Sequence, residues 1–245
     1  MESTKKLAGR TALITGAGRG VGRGIALQFA EAGASLVLAA RTESELQETA
    51  NDCRKLGVSV RAERLDLAQA DQIEGLFQDL ESAGITIDIL VNNAAIMIKS
   101  LMQDYRRSEF EASLAVNVTA PMTLAQRAIA MMRRRRQGAI VNISSLSGCF
   151  GAEKFPGFGA YNISKYALWG LTEILAVENR EHGIRVNQVS LSAVDTKMFR
   201  EAAPPGLTPN LTIEQVARQV LYLASDDSYP LTGENIILTG MPPAR

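Results

Sequence analysis

Apolar residues fall into short, nearly continuous runs separated by stretches in which they recur every three or four positions. TALIT (11–15), SLVLAA (35–40), VSVRA (58–62), IDILVN (87–92), AIVNIS (139–144), IRVNQVSL (184–191) and NIIL (235–238) have strand length and composition. The middle runs hardly alternate, the pattern of strands covered on both faces of a parallel sheet. The stretches between them carry helix signals. Thr42-x-x-Glu45, Ser108-x-x-Glu111 and Thr212-x-x-Gln215 each fit a capping box. Gly33, Gly57, Gly84 and Gly183 stand where a helix would end in a left-handed residue. Strand alternating with helix throughout predicts an α/β fold, a doubly wound sheet of parallel βαβ units. There is no repeat, low-complexity tract or linker, so the expectation is one domain; AAPPGLTPN (202–210) reads as a loop.

Composition narrows the partners. Lys plus Arg and Asp plus Glu both number 26 in the 245 residues, so no net charge draws the chain to nucleic acid or a membrane surface. No apolar run approaches the ~18 residues of a spanning helix. The start, MESTKKLAGR, lacks the apolar core of a signal peptide. Cys53 and Cys149 lie far apart, suit a reducing cytoplasm and read as small buried hydrophobes. His182 is the single histidine, and no metal site can be assembled around it. A small molecule is the expected partner.

The first strand runs into TGAGRGVGRG (15–24), where Gly16, Gly20 and Gly22 form T-G-x-x-x-G-x-G ahead of a helical stretch. Glycine permits positive φ and a close approach of phosphate to backbone. The helix N-terminus behind it offers unpaired amides to a pyrophosphate. The spacing differs from G-x-G-x-x-G, since Val21 stands where that motif needs glycine, and no Gly-Lys-Ser/Thr follows as in a P-loop. Gly16, Arg19, Gly20, Val21 and Gly22 are the candidate cofactor contacts of this turn. The second strand ends Ala39-Ala40-Arg41, without the carboxylate that an NAD ribose wants. Arg41 and Arg19 together suit a dianionic 2′-phosphate, favouring NADP(H) over NAD(H). The alternatives are that Arg41 caps its strand or pairs with Glu43 or Glu45, and that Arg19 is simply solvated.

Six motifs in order make the chain resemble the short-chain dehydrogenase/reductase family over nearly its whole length. They are TGAGRGVG (15–22), Asp66 in LDL, NNAA (92–95), Asn117 in AVNVTA, VNISS (141–145) and YNISK (161–165). The resemblance implies a Rossmann-type fold with a seven-stranded parallel sheet, and dimers or tetramers. It implies that Asp66 and Leu67 hold the adenine and that Asn93 and Ala94 line the cofactor groove. Val194 and Thr196 would meet the nicotinamide end, and Asn117, Ser145, Tyr161 and Lys165 would form the catalytic set. The chain departs from the family pattern at Ala95, at Leu191-Ser192 in place of Pro-Gly, and in its C-terminal ending. Fifteen residues separate Ser145 from Tyr161, more than the family usually has, so Ser144 and Ser147 remain alternatives.

The chemistry explains the Tyr–Lys spacing. A carbonyl that accepts hydride needs a proton on its oxygen, and Tyr161 is the proposed acid. Bringing a phenol from ~10 to ~7 takes about 4 kcal/mol of preferential stabilisation of the phenolate. Lys165, one turn on along the same helix face, and the charge of oxidised nicotinamide are an adequate source. Lys165 would also reach the ribose, Ser145 would hold the substrate oxygen, and Asn117 would keep Lys165 and a relay water in place from distorted helix backbone.

Met97, Ile98, Phe150, Phe155, Phe158, Met198 and Phe199 are the expected walls of the substrate site, implying a fairly hydrophobic carbonyl or secondary alcohol. Residues 197–210 would be a lid over it. MMRRRRQG (131–138) reads first as cations complementing a helix C-terminus and second as a patch for a carrier protein. Two other functions stay open: a carrier-linked 3-oxoacyl reductase, and a non-catalytic cofactor sensor or scaffold.

Overall fold

The computed structural model describes residues 5–240; the first four residues of the polar start lie outside the described residues. Strands β1 (Thr11–Thr15), β2 (Ser35–Ala40), β3 (Val60–Arg64), β4 (Ile89–Asn92), β5 (Gly138–Ser145), β6 (Ile184–Leu191) and β7 (Asn235–Leu238) form one sheet in the order β3-β2-β1-β4-β5-β6-β7. Every pairing is parallel. The order reverses between β1 and β4, which opens a crevice at their carboxyl ends. The third strand lies two residues later than its apolar run, because Val58 and Ser59 precede the register that pairs Val60 with Leu36.

Side-chain alternation assigns the two faces. Ala12 and Ile14 of β1 pack beneath α1 (Gly20–Glu31), α2 (Glu43–Lys55) and α8 (Ile213–Ala224), in one core with Phe29, Leu46 and Val220. Leu13 points the other way, towards α3 (Ala70–Ser82), α5 (Ala120–Arg135) and α6 (Gly159–Asn179), with Phe77, Leu124 and Leu175. The four glycines expected at helix ends all have positive φ, from 68° to 87°.

Of the three expected capping boxes, one forms as read: Thr212 accepts from the Gln215 amide at 3.2 Å and Gln215 accepts from the Thr212 amide at 2.9 Å. At the second, α4 (Arg107–Leu114) begins before Ser108, and Glu109 accepts from the Arg106 amide at 3.3 Å. At the third, Thr42 makes no side-chain cap, and the Glu45 side chain is turned to Arg19. The arginine run is largely used in packing. Arg133 bonds Asn179, Arg136 bonds the Glu181 carbonyl, and Arg135 lies 2.9 Å from the buried Asp88 carboxylate.

A row of amide side chains crosses the sheet on the α6 side, where Asn92, Asn142, Gln188 and Asn235 share one register level of β4–β7. Asn92 Nδ2 donates to Asn142 Oδ1 at 2.9 Å, and Asn142 Nδ2 donates to Thr172 Oγ1 of α6 at 2.8 Å. Asn142 therefore ties α6 to the central strands. Replacing it by leucine, similar in size, strips partners from two buried polar groups. Urea unfolding of Asn142→Leu is expected to show a loss of about 2–4 kcal/mol; an unchanged midpoint would contradict the tie.

Candidate active site

The turn after β1 is closed by a small polar knot. Thr15 Oγ1 accepts from the amides of Asn93 and Ala94 at 3.0 and 3.1 Å and donates to the Val91 carbonyl at 3.3 Å. Asn93 Nδ2 donates to the carbonyls of Thr15 and Gly16 at 2.8 and 3.3 Å. Gly16 and Gly20 have φ of 66° and 56°, as the turn requires. A methyl carbon on Gly22 would stand 2.1 Å from the Gly16 carbonyl oxygen and 2.5 Å from Asn93 Nδ2, so nothing larger than glycine fits there. Helix α1 then starts with no side chain capping its first amides. That open helix N-terminus beside a glycine cradle fits a dinucleotide phosphate.

From this turn a cleft of about 1120 Å³ runs along the carboxyl ends of the strands. That exceeds the ~300–1,000 Å³ of an ordinary small-molecule pocket and leaves room for a dinucleotide beside a substrate. Of the catalytic and cofactor-binding residues expected from the sequence, all but Asn117 line this cleft. Asp66 and Leu67 follow β3, with Asp66 Oδ1 accepting from the Ala68 amide at 3.0 Å. Val194 and Thr196 follow β6, and Thr196 Oγ1 caps α7 (Lys197–Ala202) through the Phe199 amide at 3.2 Å. At the far end Arg19 Nη1 lies 3.1 Å from Glu45 Oε1, whereas Arg41 is exposed and has no ion pair or side-chain hydrogen bond among the described residues.

Tyr161 and Lys165 occupy the first turns of α6, both buried against β5. Lys165 Nζ donates to the Ile143 carbonyl at 2.8 Å and stands 5.4 Å from the centre of the Tyr161 ring. Ser145 Oγ accepts from the Ser147 amide at 3.1 Å, and Ser145 lies near enough to the Tyr161 hydroxyl to ease its ionisation. Ser144 and Ser147 line the same cleft. Burial pushes Tyr161 up to about 12, with Ser145 acting in the opposite sense. Burial alone draws Lys165 down to about 8. Desolvation thus favours the neutral phenol, which has a proton to give.

Asn117 stands in a π-helical stretch, Ala115–Thr119, between α4 and α5. Its side chain grips Ile96 from both sides, accepting from the amide and donating to the carbonyl at 2.9 Å, and donates to Ser164 Oγ at 3.0 Å. It thereby joins the strand-end loop to the residue preceding Lys165. Pro121 has no N–H, so the Asn117 carbonyl lacks the donor that an α-helix would supply four residues on.

Five of the seven expected substrate walls line the cleft: Met97, Phe155, Phe158, Met198 and Phe199. Two do not. Phe150 is 98% exposed at the tip of the lengthened loop, turned outward ahead of Gly151 with its φ of 76°. Ile98 lies outside the lining, and its carbonyl accepts from the Tyr105 hydroxyl. Sequence reasoning passed over Thr15, Ser164 and Thr49, whose hydroxyl donates to the Gly18 carbonyl at 3.1 Å. Only the position of Thr15 immediately before the glycine turn offered a signal. Among the described residues there is no cluster of His, Cys, Asp and Glu able to hold a metal, and no helix long and apolar enough to cross a membrane.

Residues 10–205 match the short chain dehydrogenase family model, and the chain belongs to the short-chain dehydrogenase/reductase family of oxidoreductases. A 3-oxoacyl-(acyl-carrier-protein) reductase of Thermotoga maritima is 30% identical over 96% of this chain and 98% of its own. A short-chain type dehydrogenase/reductase from Mycobacterium marinum superposes with a TM-score of 0.89 at 34% identity, covering 97% of this chain and 96% of the other. A gluconate 5-dehydrogenase from Burkholderia cenocepacia, solved with NADP and tartrate, gives 0.88 at 27% identity, covering 97% and 96%.

The buried lysine has a pH signature. Folded Lys165 titrates near 8 against an ordinary 10.5, so between these values the unfolded chain holds the extra proton and stability rises with pH. Chemical denaturation across that window is expected to show wild type gaining up to roughly 3 kcal/mol relative to Lys165→Met. Parallel curves for the two proteins would contradict the depressed lysine.

Proposed function

We propose that the protein is an NADP(H)-dependent oxidoreductase acting on the carbonyl or secondary alcohol of a fairly hydrophobic small molecule. The observation that carries this reading is Tyr161, buried beside Lys165 and lining, with Ser145, the same cleft as the glycine turn. The phosphates lie against Gly16, Gly20, Val21 and Gly22, and Arg19 and Arg41 face the 2′-phosphate. Asp66 and Leu67 hold the adenine, Asn93 and Ala94 line the groove, and Val194 and Thr196 meet the nicotinamide. When bound, the nicotinamide supplies or removes the hydride.

The chain's own residues do the rest. Ser145 holds the substrate oxygen by a hydrogen bond, with Met97 and Met198 against the apolar part. Tyr161 gives its proton to that oxygen as negative charge develops there, and takes it back in the reverse direction. Lys165, as an ammonium, stabilises the phenolate left behind and reaches the ribose hydroxyls. Asn117 is a positioning residue for Lys165 and for a water that returns the proton. Residues 197–210 close over the substrate, a homodimer or homotetramer is the working assembly, and the cytoplasm is its place. The likeness to a carrier-protein reductase favours a 3-oxoacyl thioester as the second reading. Against it, Arg133, Arg135 and Arg136 are engaged in packing.

Tyr161→Phe tests the acid. Steady-state reduction of a ketone panel is expected to fall by ~10²–10⁴ while nucleotide affinity stays within about threefold. A phenylalanine variant that kept its turnover would remove Tyr161 from the mechanism. Fluorescence titration of wild type is expected to give tighter binding of NADPH than of NADH, and equal or inverted affinities would overturn the cofactor assignment.

A further inference from the structure

We propose that Glu45 limits the cofactor preference of this protein by holding Arg19 in an ion pair that a 2′-phosphate must break. The inference rests on the reading that the 2′-phosphate lies between Arg19 and Arg41. Glu45 is no ordinary surface acid. Its side chain lines the cleft together with Arg19, Arg41 and Thr42, and its Oε1 lies 3.1 Å from Arg19 Nη1.

The first turns of α2 are also packed onto the glycine turn, which fixes the backbone and Cβ of Glu45 beside it. A methyl carbon on Gly18 would come within 3.1 Å of Glu45 Cβ and 3.3 Å of the Leu46 amide. One turn further on, Thr49 Oγ1 donates to the Gly18 carbonyl at 3.1 Å. Next along, Arg23 and Asp52 close the same helix pair at 2.8 Å. The glycine turn and α2 therefore approach as one piece, with the Arg19–Glu45 pair between them.

Charge decides the consequence. The cations at this end of the cleft are Arg19 and Arg41, the facing anion is Glu45, and Glu43 is turned to Gln47 Nε2 at 2.7 Å. A dianionic phosphate meets two guanidinium groups, one already occupied, and the carboxylate that occupies it repels the phosphate. A ribose 2′-hydroxyl carries no charge to be repelled, and it can donate to a carboxylate or to an amide oxygen at that place. Arg41 thus supplies most of the preference for NADP(H), and Glu45 keeps the gap to NAD(H) smaller than two free arginines would make it.

The experiment is a fluorescence titration of the intact protein with NADPH and with NADH for wild type, Glu45→Gln, Arg19→Ala, Arg41→Ala and Arg19→Ala/Glu45→Gln. Glu45→Gln is expected to tighten NADPH by about five- to tenfold and to move NADH by less than about twofold. The gain should disappear when Arg19 is alanine, and NADPH binding by Glu45→Gln should weaken more steeply with added salt. Weaker or unchanged NADPH binding by Glu45→Gln, or a gain that survives without Arg19, would overturn the inference. The arginine variants separate its failure from that of the underlying reading. If Arg19→Ala and Arg41→Ala both leave NADPH unaffected, the 2′-phosphate assignment falls and this inference with it. If they weaken NADPH and Glu45→Gln still brings no gain, only the role of Glu45 is lost.

Discussion

The site depends on the contact of three backbone segments at the carboxyl ends of β1 and β4. Thr15–Gly16, Gly22 and Asn93 meet so closely that one added methyl at Gly22 would collide with both neighbours. Hydrogen bonds from Asn93 and to Thr15 satisfy the polar groups that this approach would otherwise bury unpaired. Because β1 and β4 bound the crevice where strand order reverses, the knot fixes the floor of the cleft. It also fixes the angle at which α1 aims its first amides into that cleft. A looser turn would leave the same strands and helices without a defined phosphate site.

The other half of the cleft is organised by burial of charge. Lys165 is tied to the Ile143 carbonyl, and Tyr161 lies between that lysine and Ser145. Each group has its charged form disfavoured by desolvation, so the resting pair leans towards neutral phenol and a weakened ammonium. A bound positive charge would shift the phenol the other way. On this proposal the acid is activated in step with the cofactor's own charge, which would couple proton to hydride. Asn117 supports the arrangement from a widened, π-helical turn.

Much of this was legible in the sequence, for local reasons. Strand runs such as Thr11–Thr15 and Ser35–Ala40 coincide with their apolar patterns, because a strand buried on both faces must be nearly all apolar. The glycine spacing and the one-turn separation of Tyr161 from Lys165 likewise express local geometry. What the pattern could not reveal involves groups far apart in the chain. Glu45 reads locally as the third residue of a capping box, yet it is drawn to Arg19 across the cleft rim. The Asn92–Asn142–Thr172 chain joins two strands to a helix, and no spacing rule announces it. Phe150 reads as a pocket wall by composition, but the turn at Gly151 sends it outward.

The coupling between nucleotide charge and the buried phenol is the central claim, and ultraviolet difference titration of Tyr161 tests it most directly. The signal of Tyr161 is isolated by subtracting Tyr161→Phe, with and without saturating oxidised nicotinamide nucleotide. The account predicts ionisation near 12 in the free protein, falling by several units when the nucleotide is bound. Ionisation at the ordinary ~10 in the free protein, or a value that the nucleotide leaves unmoved, would contradict it.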